Sequence, residues 1–271
     1  MRRKKIIQKL NMAAGQLVNG KWSKQLTGTG LRQVNEKGEF VRTESVFRNQ
    51  ITAPGSGGIY EAEPNRYHLF VHISCPWAHR TLVTRAYLGL EDSIGISVGD
   101  SRTNEGWCWT SKAEVIPIEP FKSLQLNCRK ENKKFQLHQV YTAADPDATT
   151  RVTVPVLWDT KTNSIVNNES AEIIRMLNEH SRSFGAKNSE INLVPFHLRK
   201  EIDALNDKVY FHLNNGVYRS GFSKGDTAYH QARKEVFEGL EFLEKRLQKT
   251  RYLFGVSFLH FKYIIKKLYH I

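Results

Sequence analysis

One cysteine stands where the chain could do chemistry. The stretch "HISCPWAHR" (72–80) sets Cys75 between an apolar, strand-like run and a helix-like run, with proline and tryptophan directly after it. A cysteine there is a buried small hydrophobe, a metal ligand or a thiolate held out for reaction. Position favours the thiolate. A residue just ahead of a helix faces N–H groups that lack intrahelical partners, and the positive end of the helix dipole. Both lower a thiol pKa. Pro76 gives up no useful donor there, and its fixed φ suits the first helical turn. His79 and Arg80, one turn on, add positive field. Turns from strand to helix also lie at the carboxyl ends of strands, where open α/β sheets bind ligands. A thiolate in that place is both nucleophile and leaving group in thiol exchange.

Metal chemistry has weaker backing. His68 and His72 are four apart, a spacing that suits one face of a helix, whereas "RYHLFVHI" (66–73) reads as strand. They read as ordinary strand histidines. The three cysteines, Cys75, Cys108 and Cys128, include no CxxC pair. An odd set of this kind argues against a disulfide framework and for a reducing compartment.

Several elements must position Cys75. After the strand at 66–73, apolar positions Leu82, Val83, Ala86, Tyr87 and Leu90 recur at helical spacing, and "IGISV" (94–98) reads as a second strand. Strand, helix, strand makes a βαβ unit with a parallel pair. Residues 99–140 read as a long polar excursion. "RVTVPVLWD" (151–159) is a β-branched run broken by Pro155, which belongs at a strand start or tight turn, with a cis bond as one way to place it. "NSIV" (163–166) is its hairpin partner. "ESAEIIRMLNEH" (169–180) is an amphipathic helix with Asn167, Asn168 and Ser170 offering capping oxygens. Residues 181–195 read as a linker. Beyond them the pattern is only helical, first 196–213 and then a longer helix with Tyr229, Ala232, Val236, Leu240, Leu243 and Leu247 along one face.

Composition sets outer bounds. With 271 residues and 40% apolar content the chain can bury the cores of two modest domains. No apolar run reaches the roughly 20 residues that cross a bilayer, so no membrane is expected. The net charge is +13, but much of it crowds the first ten residues in Arg2, Arg3, Lys4, Lys5 and Lys9, and no acid appears before Glu36. That acid-free start admits organellar import beside a cytoplasmic location or a merely frayed basic tail. Elsewhere the charges are mixed as on a solvated surface, which suits small anions better than nucleic acid.

Four ordered segments carry a resemblance. "YHLFVHISCPWAHRTLVTRAYLGLE", "GW", "RVTVPVLWDTKTNSIVNNESAEIIRMLN" and "NNGVYRSGF" together resemble the Xi-class glutathione transferases, the glutathionyl-hydroquinone reductases, from about residue 40 to about residue 255. The resemblance implies an α/β thioredoxin-like N-terminal domain at 61–183, after an extension and loop at 1–60. An all-α C-terminal domain at 196–271 follows. It implies glutathione as co-substrate, no metal, glutathionylated aromatic substrates, and a homodimer where the helical domain is complete. Residue by residue, Cys75 matches the catalytic cysteine, and Val154 the residue whose backbone pairs with the cysteinyl part of glutathione, ahead of a cis Pro155. Glu169 and Ser170 match the pair that holds the γ-glutamyl end, Trp107 an aromatic wall of the glutathione site, and Tyr218 a tyrosine near the hydroquinone pocket, the candidate catalytic donor of a proton to the aromatic leaving group. Each has a plainer alternative: Trp107 and Tyr218 as packing, Glu169 as a capping acid.

The match lapses after "RYLFG". The family continues with an acidic helix cap and further helices carrying another substrate-site tyrosine, where this chain reads "VSFLHFKYIIKKLYHI". The helical domain is therefore expected to be shortened, with Phe258, Phe261, Ile264, Ile265 and Leu268 as an apolar face needing cover. That bears on the hydroquinone pocket and the dimer more than on the glutathione site. The expected function is reduction of S-glutathionyl-hydroquinones through a transiently glutathionylated cysteine. The alternatives are a general glutathione transferase or dehydroascorbate-type reductase, and a glutathione-binding protein impaired in catalysis.

Overall fold

The computed structural model describes residues 16–23 and 33–254, which form two compact units. One comprises residues 16–23 and 44–189, the other residues 33–43 and 190–254. The basic residues before position 16 and the apolar set from Phe258 to Leu268 lie outside the described residues.

The first unit opens with two three-residue strands, β1 (Gln16–Val18) and β2 (Lys21–Ser23), joined by Asn19-Gly20. Both turn residues have positive φ, 48° and 70°, as a two-residue hairpin of primed type requires. The second unit contributes its own hairpin, β3 (Gln33–Val34) with β4 (Phe40–Val41). The first unit's central sheet follows with β5 (Tyr67–His72), then helix α1 (Pro76–Tyr87), then β6 (Ile94–Gly99). β5 and β6 are parallel in full register, Tyr67 beside Ile94 through His72 beside Gly99. β11 (Val156–Asp159) and β12 (Ser164–Asn167) complete a sheet of order β12-β11-β5-β6, both added antiparallel. Helix α4 (Ser170–Glu179) leaves the end of β12 and packs on α1. This is the expected thioredoxin-like arrangement, βαβ followed by ββα.

Residues 99–140, read as a polar excursion, are a folded layer instead. They hold β7 (Ser101–Thr103), β8 (Gly106–Trp109), α2 (Phe121–Lys130), β9 (Phe135–Gln136) and the start of α3 (His138–Ala144). Trp109, Ile116, Phe121, Phe135, Leu137, Val140 and Tyr141 in or near them are fully buried. Phe70 of β5 meets the rings of Trp109 and Phe121 edge-on at 5.8 and 5.2 Å, and Phe121 meets Trp158 at 4.8 Å. The excursion thus supplies the aromatic core on one face of the sheet. The polar character of its exposed residues concealed this.

The stretch 181–195 is likewise not a free linker. Phe184 is fully buried and meets Tyr67 edge-on at 5.8 Å, and the N–H groups of Lys187 and Asn188 donate to the carbonyls of Gly89 and Leu88. A further strand, β10 (Thr150–Arg151), pairs with β1 and so ties residues 16–23 to this unit.

The second unit is helical apart from β3 and β4. Its helices are α5 (Arg199–Val209), α6 (Gly216–Phe222) and α7 (Asp226–Leu247), with a single π-type turn at Tyr210–Asn214. Leu205, Val209, Leu213, Leu243 and Leu253 form its core, flanked by Val236, Leu240, Phe242 and Leu247. Gly239 permits a close crossing, since a Cβ there would lie 2.6 Å from that of His212. No helix among the described residues is long and apolar enough to cross a membrane.

Candidate active site

Cys75 is the N-cap residue of α1, in extended backbone, and its own N–H donates to the His72 carbonyl. Pro76 opens the helix and no acidic residue stands in its first turn. The helix therefore presents its positive end to the sulfur without local competition. Cys75 is partly exposed, and its thiol donates to the Val154 carbonyl across 3.5 Å. The Val154–Pro155 bond is cis and leads directly into β11. The strand-to-helix turn and the start of β11, 79 residues apart in sequence, thus meet at one point.

The other two cysteines differ. Cys108 is fully buried, and burial pushes its thiol up. Cys128, on α2, is also raised, first by burial and then by the neighbouring Glu131 carboxylate. Neither has a helix start beside it.

Glu169 and Ser170 stand at the opening of α4. The sequence offered capping oxygens on Asn167, Asn168 and Ser170 and also Glu169 as a capping acid; the cap is Glu169, whose Oε1 accepts from the Ala171 N–H at 3.1 Å. Asn167 fixes that residue instead: its Oδ1 accepts the Glu169 N–H at 2.7 Å, and its amide donates to Glu172. Asn168 points elsewhere, donating to the Tyr141 hydroxyl and accepting from the Phe47 N–H. The Ser45 hydroxyl donates to Glu169 Oε2 at 3.3 Å.

Arg80 was expected only to add positive field at the start of α1. It is nearly fully buried instead, and its Nη2 donates to Ser170 Oγ at 2.6 Å and to Glu169 Oε1 at 3.4 Å. Its guanidinium carbon also lies 5.0 Å from the centre of the Trp77 ring. The pairing spans 89 and 90 residues of sequence, so no local spacing could announce it.

Trp107 sits on β8, partly exposed, with the His72 ring 4.4 Å away and the Arg102 guanidinium over it at 4.2 Å. His72 is therefore more than a strand histidine. Its Nδ1 accepts the Ser74 N–H at 3.2 Å, so the neutral ring carries its proton on Nε2. Burial, and then the Arg102 charge, hold its pKa below the usual histidine value. His68 is buried among other groups: Ser97 Oγ lies 2.8 Å from its Nε2, and burial lowers its pKa to about 4. Among the described residues no group of three or more His, Cys, Asp or Glu side chains is placed to hold a metal ion.

Cys75, Trp107, Val154, Glu169 and Ser170 thus all belong to the first unit. Tyr218 belongs to the second, on α6, where the Arg42 guanidinium lies 5.2 Å from its ring and Phe222 packs at 5.9 Å.

Comparison with known proteins gives this geometry a context. Residues 74–180 match the family model for the glutathione S-transferase N-terminal domain. The chain is 42% identical over 247 residues to glutathionyl-hydroquinone reductase YqjG of Escherichia coli, covering 89% of this chain and 70% of that protein. Among solved structures, the Xi-class glutathione transferase of Natrialba magadii superposes with a TM-score of 0.73 at 36% identity, over 89% of this chain and 68% of the other. The glutathione-bound structure of Escherichia coli YqjG gives 0.71 at 38% identity, over 90% and 70%.

Proposed function

The chain belongs to the Xi-class glutathione transferases, the family of the glutathionyl-hydroquinone reductases, and from that premise we propose that it reduces S-glutathionyl-hydroquinones through Cys75. The observation that carries the reading is the 3.5 Å approach of the Cys75 thiol to the Val154 carbonyl. A tripeptide whose central residue pairs with the Val154 backbone, strand to strand, brings its own sulfur within reach of Cys75. Glu169 then takes the ammonium of the γ-glutamyl end and the Ser170 hydroxyl donates to its carboxylate, as charge-assisted hydrogen bonds at a helix start favour. Trp107 walls the site, backed by His72 and Arg102.

The reaction then needs only thiol chemistry. The Cys75 thiolate attacks the sulfur of the glutathionyl group; a protein–glutathione disulfide forms and the carbon–sulfur bond to the aromatic ring breaks. The aryl group departs with the electron pair and takes up a proton, giving the hydroquinone. A second glutathione thiolate attacks the mixed disulfide, releasing glutathione disulfide and restoring Cys75. The aromatic substrate is reduced by two electrons, supplied by two glutathione sulfurs.

The test is a single turnover. Enzyme mixed with one equivalent of a glutathionyl-hydroquinone, without free glutathione, should release hydroquinone and gain the mass of one glutathionyl group, located on Cys75 by peptide mapping. Neither release nor adduct until free glutathione is added, and then release without an adduct, would point to direct attack by glutathione and set the covalent route aside. Binding of glutathione with no release would leave a binding protein.

A further inference from the structure

We propose that Arg80 is a positioning residue for the γ-glutamyl end of glutathione, acting through Ser170. This inference rests on the glutathione reading above and adds a residue and a mechanism to it. Arg80 lies on α1, five positions after the thiol, and is 4% exposed. A buried guanidinium is costly unless it is paired and hydrogen-bonded, and its Nη2 reaches across to the first residues of α4. One side chain therefore ties the helix that carries the sulfur to the helix start assigned to the glutamyl end.

The hydrogen-bond arithmetic at Ser170 gives the tie a function. A serine hydroxyl has one proton to donate and two lone pairs to accept with. Arg80 is only ever a donor, so at 2.6 Å it occupies a lone pair of Ser170 Oγ. The Ser170 proton is left to point away from Arg80, polarised by the charge behind it. A hydroxyl held in this sense is set to donate to an anion, which a glutathione carboxylate is. Without Arg80 the same hydroxyl can turn its proton toward other acceptors at the helix start. Glu169 Oε1 also accepts from Arg80, at the longer 3.4 Å, but the Ala171 N–H holds the same atom at 3.1 Å, so that carboxylate keeps its place without the guanidinium. Arg80 itself touches neither the sulfur nor the ligand in this scheme.

The experiment measures glutathione affinity by calorimetry and, separately, the rate of Cys75 alkylation in the absence of glutathione. Wild type, Arg80→Met, Ser170→Ala and the double variant are compared, with circular dichroism as the check of folding. Arg80→Met should raise the glutathione Kd about tenfold, the scale of one lost charge-assisted hydrogen bond, with the alkylation rate within about twofold of wild type. A residue that merely held the fold together would move both readings. The double variant should be no more than about twofold worse than the weaker single, because Arg80 works through Ser170. Unchanged affinity in a folded Arg80→Met protein, or losses that multiply in the double variant, would overturn the proposal. If Arg80→Met does not fold, Arg80→Gln replaces it. It removes the charge behind Ser170 Oγ with a polar side chain, and the same cycle with Ser170→Ala decides by the same criterion. Wild type that fails to bind glutathione at all would sink the reading of the site itself, a result distinct from failure of the Arg80 assignment.

Discussion

Glu169 caps α4 and is proposed to hold the glutathione ammonium, and one atom exchange parts the two tasks. Its Oε1 caps α4 by accepting the Ala171 N–H and faces Arg80, while its Oε2 accepts from Ser45. In Glu169→Gln the amide oxygen keeps the first pair of contacts. The amide nitrogen then faces the Ser45 hydroxyl, which can accept from it while donating to the Asn168 carbonyl at 3.4 Å. The cap survives and only the negative charge is lost. Glu169→Ala removes both, and loss of a cap costs about 1 kcal/mol, or roughly 2–4 °C in Tm for a unit of this size. A carboxylate that holds the glutathione ammonium contributes about 1.5–3 kcal/mol, roughly ten- to a hundredfold in Kd. Both variants should therefore bind glutathione at least tenfold more weakly by calorimetry, but only the alanine variant should melt lower. If the glutamine variant binds within about twofold of wild type, the carboxylate is a helix cap and nothing more.

Two further outcomes follow from buried titratable groups. His68, lowered to about 4 by burial, stays neutral in the folded protein while the unfolded chain takes up its proton near pH 6.5. Stability is thus full above about 6.5 and falls as the pH drops toward 4, by an amount on the order of 3 kcal/mol. His72, lowered also by burial first, adds in the same sense. Urea unfolding across that range should show the loss, largely relieved in His68→Gln; a flat profile in wild type would contradict the buried neutral ring. Limited iodoacetamide at neutral pH should label Cys75 well before Cys108 and Cys128, whose thiols burial pushes up. Label appearing first on Cys128, read by peptide mass mapping, would refute the assignment.

The parts legible in the sequence are those whose signal is local. Cys75, Pro76 and the helical spacing after them announce a thiol at a helix start, and the chain folds so. Pro155 inside a β-branched run could not continue a central strand, and it stands ahead of β11, with the cis bond beside it. The layer at 99–140 escaped because its strands are two to four residues long, too short for alternation to show. Its large apolar residues lie among charged ones with no fixed period. The Asn19-Gly20 turn was a local signal, but strands of three residues gave it no flanking pattern. Arg80 and Ser45 at the α4 start depend on tertiary geometry. Which side chain meets Glu169 across more than 80 residues is set by the packing of α1 on α4 and the path of residues 44–50, and no spacing rule encodes it.

The most direct test of the account is the rate of Cys75→Ser with a glutathionyl-hydroquinone and free glutathione. In the exchange route this sulfur must attack and then be attacked. An alcohol is barely ionised at pH 7 and does not exchange with disulfides. Serine can still hydrogen-bond a glutathione thiolate, so binding should remain nearly intact. The account predicts that reductase turnover vanishes against background while glutathione Kd stays within a few-fold of wild type. If the serine variant keeps more than about a tenth of the wild-type rate, a barrier change under ~1.4 kcal/mol, then Cys75 is not the nucleophile and the mechanism is wrong.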